Sequence, residues 1–471
     1  MDNGTLFQYI ENSREAIISD CIKLINIPSV SHRAKDVYKC LKTFLLMAES
    51  YGFYTYMTPE KDVGVIEMGQ GEETIGILVH VDVVDEGDIE KWITKPFEGT
   101  FDGEYILGRG AEDNKGPAVV ALHAMKIMKD LNIPLKKKIK LIVGTQEEVL
   151  WTDMDHFKQH FKTPDFGFTP DGSFPIENRE KGYADILLTF SSKEDCGYEI
   201  KIKSLNSGGS VNSIPSHAEA EIEISSRARK EEFIKRSKNK NIKIMELENN
   251  LLKICADGVT AHSSEPEKGV NAINLICDFL GSYTISPGHV KQAIGFVNEY
   301  MRNDYYGKKL GLYQGDPYLN GDYMGYTTIV PTIMKVQEET VLNLNTRTKY
   351  GTTMENLYES VFKHKDEFEY SIKVLGYMDP LFVDKEKKFI KTMSNVYEEV
   401  SGFKNEFRLA YGTSYAKAMT NMVCFGPVFP DQQDFAHQEN ERISIKTLLT
   451  AAKIYALFLV KISMLDQICG Q

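Results

Sequence analysis

The sequence predicts an α/β domain interrupted by an inserted α+β domain, and three observations carry that expectation. Strand-like and helix-like segments alternate through the first third of the chain. After about residue 185 the pattern changes to the period-two alternation of half-buried antiparallel strands, clearest at 218–224 and 341–347. Near residue 375 the helix-and-strand mixture returns and runs to the end. The expected segments are therefore 1–185, 186–374 and 375–471, the first and last belonging to one domain.

Within the first segment, residues 15–52 read as two helices separated by a loop at Ile27-Pro28-Ser29-Val30-Ser31. Residues 76–82 form a continuous apolar run that turns polar at His80-Val81-Asp82, as a buried strand does on reaching a site. From 117 to 131, Val120, Ala124, Ile127, Met128 and Leu131 follow helical spacing, started by Gly116-Pro117 and stopped by Asn132-Ile133-Pro134. A strand at 139–144 leads directly into Gln146-Glu147-Glu148, and another at 166–169 into Pro170-Asp171. Three strands thus deliver histidine or acid at their carboxyl ends, the edge at which α/β sheets bind ligands.

Composition narrows the function. The 471 residues hold 67 acidic and 55 basic side chains, a net charge of −12, with 42% hydrophobic and 11% aromatic residues. That content supports large cores, and the acid excess opposes binding to nucleic-acid phosphates or to an anionic membrane surface. The 24 tyrosines show no interleaving with basic patches that would stack bases. Seven scattered cysteines (21, 40, 196, 255, 277, 424, 469), never in a C-x-x-C pair, fit buried thiols of a reducing compartment. The N-terminal residues are acidic where a secretory leader is basic, and no uninterrupted apolar stretch approaches the roughly 20 residues of a membrane helix. A soluble, cytoplasmic protein is expected.

Several residues could carry chemistry. His80 and Asp82 share one face of a strand, so Asp82 could fix the His80 tautomer beside a metal, or the two could form a satisfied core pair. Gly108-Arg109-Gly110-Ala111-Glu112-Asp113-Asn114-Lys115-Gly116-Pro117 lacks the ending of a phosphate loop, and Asp113 reads either as a helix N-cap or as a carboxylate bridging two metals. Adjacent Glu147 and Glu148 repel unless a cation or a shared proton compensates, and a metal ligand beside a general base would explain the pair. Asp171 alone reads as a turn residue, and His437 as a lone histidine. His156 and His160 have zincin spacing, but Phe157 stands where that motif needs Glu, so surface histidines are expected. His123 reads as packed or capping. Two imidazoles and three carboxylates without thiolate suit zinc, manganese or cobalt in a two-metal hydrolase.

In this order the motifs resemble the co-catalytic di-zinc exopeptidases related to aminoacylase and carboxypeptidase G, and among them the PepV-type bacterial dipeptidases. The segments Asp88…Trp92…Pro96-Phe97 and Ala261-His262-Ser263…Pro266…Gly269-Val270-Asn271-Ala272 add to the likeness, which covers about residues 20–460. The resemblance implies a mixed-sheet zinc-exopeptidase catalytic domain carrying an α+β lid, with a small peptide as substrate. It places His80 and Asp171 on one divalent ion, Glu148 and His437 on the other, and Asp113 between them, followed by a cis peptide at Asp113-Asn114. Zinc is the expected metal, with manganese or cobalt as alternatives. Glu147 becomes the general base and Asp82 the partner of His80. His262 would polarise the substrate carbonyl, Arg347 and Asn212 would hold its C-terminal carboxylate, and Ser414 would contact it.

Two departures bear on specificity. The family's Gly-Gly-Thr-Tyr-Ala-Arg is here Gly412-Thr413-Ser414-Tyr415-Ala416-Lys417, and its following Pro-Gly is Pro430-Asp431. The long insert resembles lids that stand in for a second subunit, so a monomer is expected. The alternatives are an N-acyl-amino-acid deacylase or desuccinylase on the same centre, and a non-catalytic metal- or peptide-binding protein. Asp rather than Glu at 171 favours peptide cleavage within the family, and no ligand or base is missing.

Overall fold

The structure, a computed structural model, describes residues 3–192, 199–226, 230–231, 233–234, 241–248, 250–466 and 468. The chain divides into two compact units: Met1–Arg179 with Phe382–Gln471, and Glu180–Leu381. The expected cuts at 185/186 and 374/375 instead fall inside strands Gly182–Phe190 and Tyr370–Met378. The two strands pair with each other, and their register shifts between Asp185 and Ile186, opposite Val374 and Gly376, which breaks the alternation at both expected cuts.

The outer unit opens with helices α1 (Asn3–Asn12), α2 (Arg14–Ile25) and α3 (Ala34–Ser50) and strands β1 (Tyr54–Met57), β2 (Gly64–Met68) and β3 (Thr74–His80). Then follow α4 (Lys115–Asp130), β4 (Lys138–Gly144), α5 (Thr152–His160), β5 (Phe166–Thr169) and β6 (Ile176–Glu180). Every residue of β3 and β5 is buried, which is why both read as unbroken apolar runs rather than alternating ones.

The inner unit contains β7 (Gly182–Phe190), β8 (Ile200–Ser207), β9 (Ser213–Ile214), β10 (His217–Ile224), β11 (Ile242–Glu246), β12 (Leu251–Asp257) and β13 (Ala261–His262). It continues with α6 (Ala272–Gly281), α7 (His289–Phe296), β14 (Thr328–Val336), β15 (Thr340–Thr348), α8 (Met354–Phe362) and β16 (Tyr370–Met378). Its eight-stranded sheet runs β11-β12-β10-β8-β14-β15-β7-β16, and each neighbouring pair in it is antiparallel. The strictly alternating burial of β10 matches its alternating sequence, and its buried side packs against α6, while α7 packs on β15 and β7.

The chain returns to the outer unit through β17 (Leu381–Phe382), α9 (Lys388–Ser401), β18 (Arg408–Ala410), β19 (Met422–Phe425) and α10 (Ile445–Met464). The outer sheet runs β1-β2-β4-β3-β5-β19-β6-β17, with β18 beside β6. Its centre, β4-β3-β5-β19, is parallel, and the pairs β1-β2, β2-β4 and β19-β6 are antiparallel. The mixed α/β architecture is the one the sequence predicts.

Among the described residues one helix, α10, is long and apolar enough to cross a membrane by length and composition, although Lys446, Lys453 and Lys461 interrupt its apolar run. Of an 18-residue stretch of it 72% is buried within the protein, and the helix packs on α1, α4 and α9. Truncating a fully buried side chain there, such as Phe458→Ala, would cost about 3–5 kcal/mol. The cysteines at 21, 40, 255, 277 and 424 are buried and in no disulfide among the described residues; Cys196 and Cys469 lie outside those residues.

Candidate metal centre

The parallel strands of the outer sheet end together, and their ends converge on one cluster. His80 is the last residue of β3, Glu147 and Glu148 follow β4, and Asp171 follows β5. Asp113 precedes α4, and His437 comes from the loop before α10. Nε2 of His80 lies 2.9 Å from Oδ1 of Asp113 and 3.4 Å from Oδ1 of Asp171. Nε2 of His437 lies 3.0 Å from Oδ2 of Asp113 and 3.0 Å from Oε1 of Glu148. Asp113 therefore turns one oxygen toward each imidazole. Its helix is capped at Asn114, so Asp113 is not the N-cap, and the Asp113-Asn114 peptide is cis.

Two observations fit this cluster to metal cations. Buried Oε1 of Glu147 has no hydrogen-bond partner among the described residues, so its lone pairs are available to an ion, and the two oxygens of Asp113 are met by imidazole nitrogens that a cation would replace. Ligand atoms of His80, Glu147 and Asp171, and of Asp113, Glu148 and His437, form two groups, each with its atoms within 4.8 Å of one another. The charges agree. Burial, then Asp171 and the other carboxylates, raises Glu147 well above the ordinary range. Burial and then Asp113 push Glu148 up to about 7, while burial raises Asp171. Against burial, Asp113 is held low by hydrogen bonds from His437 and His80. A pocket of carboxylates that resist ionising together calls for compensating cations.

The surrounding side chains hold the donors in place. Nδ1 of His80 contacts the backbone carbonyl of Asp82 at 2.9 Å, closer than the Asp82 carboxylate at 3.4 Å. The carbonyl and the carboxylate of Asp82 thus both face Nδ1 of His80, the carbonyl at the shorter distance. The Asp82 carboxylate has other partners as well: it accepts from Ser31 Oγ at 2.9 Å and from the backbone N–H groups of Glu147 and Glu148 at 3.3 Å. Asn114 Nδ2 donates to Asp171 at 3.0 Å. Gly144 is needed before the Glu147 turn because a Cβ there would run into the Tyr415 ring. The Tyr415 hydroxyl donates to Asp153 at 2.6 Å, and Asp153 accepts the N–H groups of Thr145 and Gln146.

Two glutamates tie together the loops that carry Asp113 and His437. Fully buried Glu441 accepts from Arg109 and from the N–H groups of Gly110, Glu112 and Asp113 at 2.8–3.0 Å. In return Glu112 accepts from the N–H groups of Phe435 and Ala436 at 2.7 and 2.9 Å, just before His437. Burial pushes the Glu112 carboxyl up to about 9, with Asp434 and Glu441 adding to it. The sequence gives no sign of these roles: Glu441 closes the polar stretch Gln438-Glu439-Asn440-Glu441, which reads as a surface turn.

The remaining candidates sit elsewhere. In the inner unit, β9 pairs with β13 through Ser213 and His262, and the carbonyl of Asn212 accepts the N–H of Ser263 at 2.9 Å. Ser263 Oγ donates to Asn345, two residues before buried Arg347 on β15, whose guanidinium lies over the Tyr183 ring. His262, Asn212 and Arg347 are thus brought together within that unit. Ser414 is buried, and its hydroxyl accepts the N–H of Ala416 as a helical cap. His156 and His160 pair with Asp62 and Glu60, and His123 packs beside Asp20 and Tyr51.

A mixed sheet gathering two imidazoles and four carboxylates beyond its parallel strands defines a metal-dependent hydrolase. The family model of Peptidase family M20/M25/M40 matches residues 76–461, and the chain belongs to that family. It is 32% identical over 460 residues to the Bacillus subtilis (strain 168) protein "Putative dipeptidase YtjP", covering 94% of this chain and 96% of that one. Its fold is similar to that of human carnosine dipeptidase 1, with TM-score 0.61, 13% identity and coverage of 98% and 99% of the two chains. The dipeptidase Dug1p of Saccharomyces cerevisiae is similar too, with TM-score 0.61, 15% identity and 99% coverage of both chains.

Proposed function

We propose that this chain is a dipeptidase that hydrolyses the peptide bond of unblocked dipeptides with two divalent cations. The observation that carries the reading is Asp113, whose two oxygens face His80 at 2.9 Å and His437 at 3.0 Å. His80 and Asp171 would hold one cation and Glu148 and His437 the other, with Asp113 shared. Zinc suits the donors best, and manganese or cobalt suits them also. When bound, such cations acidify water to near neutrality and stabilise charge developing on a carbonyl oxygen.

Glu147, buried beside the cluster with one oxygen unpaired, takes the proton of the attacking water. As the C–N bond breaks, Glu147 returns that proton to the leaving amine. The family resemblance assigns His262 to the substrate's carbonyl oxygen and Arg347, Asn212 and Ser414 to substrate contacts. The dipeptidase names of the relatives support the choice of substrate. So does Asp171, since Asp is commoner at that position in peptide-cleaving members of the resembling family. Hydrolysis of a dipeptide panel after chelation and re-addition of zinc, manganese or cobalt tests the reading, with N-acetyl and N-succinyl amino acids alongside. Cleavage of the acylated compounds alone would overturn it. Glu147→Gln should keep both cations and lose about 10²–10⁴-fold in kcat; near-normal turnover would remove the base assignment.

A cytoplasmic location and a monomeric state complete the proposal. Buried cysteines that form no disulfide among the described residues support the first, and the large inner unit supports the second. Light scattering that gives a dimer mass would contradict the monomer.

A further inference from the structure

A neutral imidazole carries one N–H and one lone pair, so the partner of one nitrogen dictates what the other can do. The backbone N–H of Ser264 donates to Nδ1 of His262 at 3.3 Å, and the Ser264 hydroxyl lies 2.5 Å from the same nitrogen. A hydroxyl can donate or accept, whereas a backbone amide can only donate. Nδ1 therefore presents its lone pair, the hydroxyl donates as well, and the proton of the neutral ring sits on Nε2.

The turn that aims this amide is pinned from several sides. The N–H of Ser263 donates to the Asn212 carbonyl at 2.9 Å, its hydroxyl donates to Asn345 at 2.7 Å, and the N–H of Glu265 donates to the His262 carbonyl at 3.0 Å. Ser263 and Ser264 are both buried. Burial and then the Arg347 charge hold His262 below its ordinary range, with Glu265 opposing, so the ring stays neutral.

We infer that Ser264 is a positioning residue that, through its amide and hydroxyl, holds His262 as the Nε2–H tautomer and so makes the ring a hydrogen-bond donor to an oxygen of the substrate. The substrate part rests on the role proposed for His262; the tautomer rests on the turn alone.

Side-chain 15N NMR of the full chain labelled at histidine nitrogens reads the tautomer without substrate or turnover. The His262 signals are assigned by their loss in His262→Gln. The expected result is an unprotonated Nδ1 and a protonated Nε2, and a protonated Nδ1 or an even mixture of tautomers would overturn the inference. Ser264→Ala keeps the amide and loses the hydroxyl. It should move the His262 signals toward a mixture and lower kcat roughly three- to tenfold with KM little changed, the weight of one hydrogen bond. Ser264→Thr should restore both. A Ser264→Ala protein with unchanged signals and unchanged kcat would remove the positioning role. If the wild-type tautomer is as expected but no dipeptide is cleaved, the dipeptidase reading fails while the tautomer assignment stands.

Discussion

His80 and His262 each turn Nδ1 onto the backbone of the residue two places on, and the two contacts have opposite polarity. His80 meets the carbonyl of Asp82 at 2.9 Å, and His262 meets the amide of Ser264 at 3.3 Å. A carbonyl only accepts, so it leaves the neutral His80 ring with a bare Nε2, which is what a metal ligand needs. An amide only donates, so it leaves His262 with Nε2–H, which suits contact with an oxygen. The backbone contact thus fixes which nitrogen keeps the proton whenever each ring is neutral. The strength of that selection differs with burial. Reversing the tautomer sets like against like, at about 1–3 kcal/mol for a buried group. His80 is wholly buried and feels the upper end, whereas His262 is more exposed, which gives the Ser264 hydroxyl a reason to be there.

The widest separation between the two rings should appear on removing each. His80→Ala deletes a proposed ligand, so metal content should fall below two equivalents and turnover should all but vanish. His262→Ala should keep both equivalents and lose about 10²–10³-fold in kcat, the weight of one donor to a developing oxyanion. Elemental analysis beside kcat decides between them; loss of metal from His262→Ala would end the contrast.

Proton release sharpens it further. In the metal-free protein, hydrogen bonds from His437 to Asp113 and Glu148 raise the histidine above its ordinary range, so it holds a proton at neutral pH. A cation must displace that proton, and apparent affinity should therefore rise with pH, by up to about tenfold per unit for each proton released. Competition with a chelator across the neutral range measures the slope. A flat profile would contradict the liganding role of His437, and the NMR signals of His262 should not respond to the metal at all.

The sequence exposed the donors better than their supports, for a physical reason. A buried strand that ends in a polar residue is a local pattern, so His80, Glu147, Glu148 and Asp171 stand out at the ends of β3, β4 and β5. The parallel centre of the sheet was legible in the same way. Glu441 is different: its partners are Arg109, Gly110, Glu112 and Asp113, more than three hundred residues earlier, and nothing local marks the pairing. Ser264 looks like an ordinary turn residue until its amide is seen aimed at a ring nitrogen. Asp82 was legible as a neighbour of His80, but its closer carbonyl contact and its hold on the N–H groups of Glu147 and Glu148 were not, because side-chain spacing along a strand says nothing about backbone partners.

Asp82 gives the finest test of the comparison, since its two ends do different work. Its carbonyl sets the His80 tautomer, and its carboxylate holds the N–H groups of Glu147 and Glu148 and the Ser31 hydroxyl. Asp82→Asn keeps the carbonyl, so the Nε2 signal of His80 should stay that of a metal ligand. The amide that replaces the carboxylate can offer only one acceptor oxygen to two N–H groups, so the turn carrying the base should loosen. Activity should fall roughly 10–100-fold. Ser31→Ala removes one hydroxyl from the same carboxylate at a half-buried position that water can reach, and should cost only about threefold, the lower end for one hydrogen bond. Were Asp82 acting through the ring instead, Asp82→Asn would shift the His80 nitrogen signals and lower metal content before it slowed turnover. Measuring both in one preparation separates a residue that orients the ligand from one that orients the base.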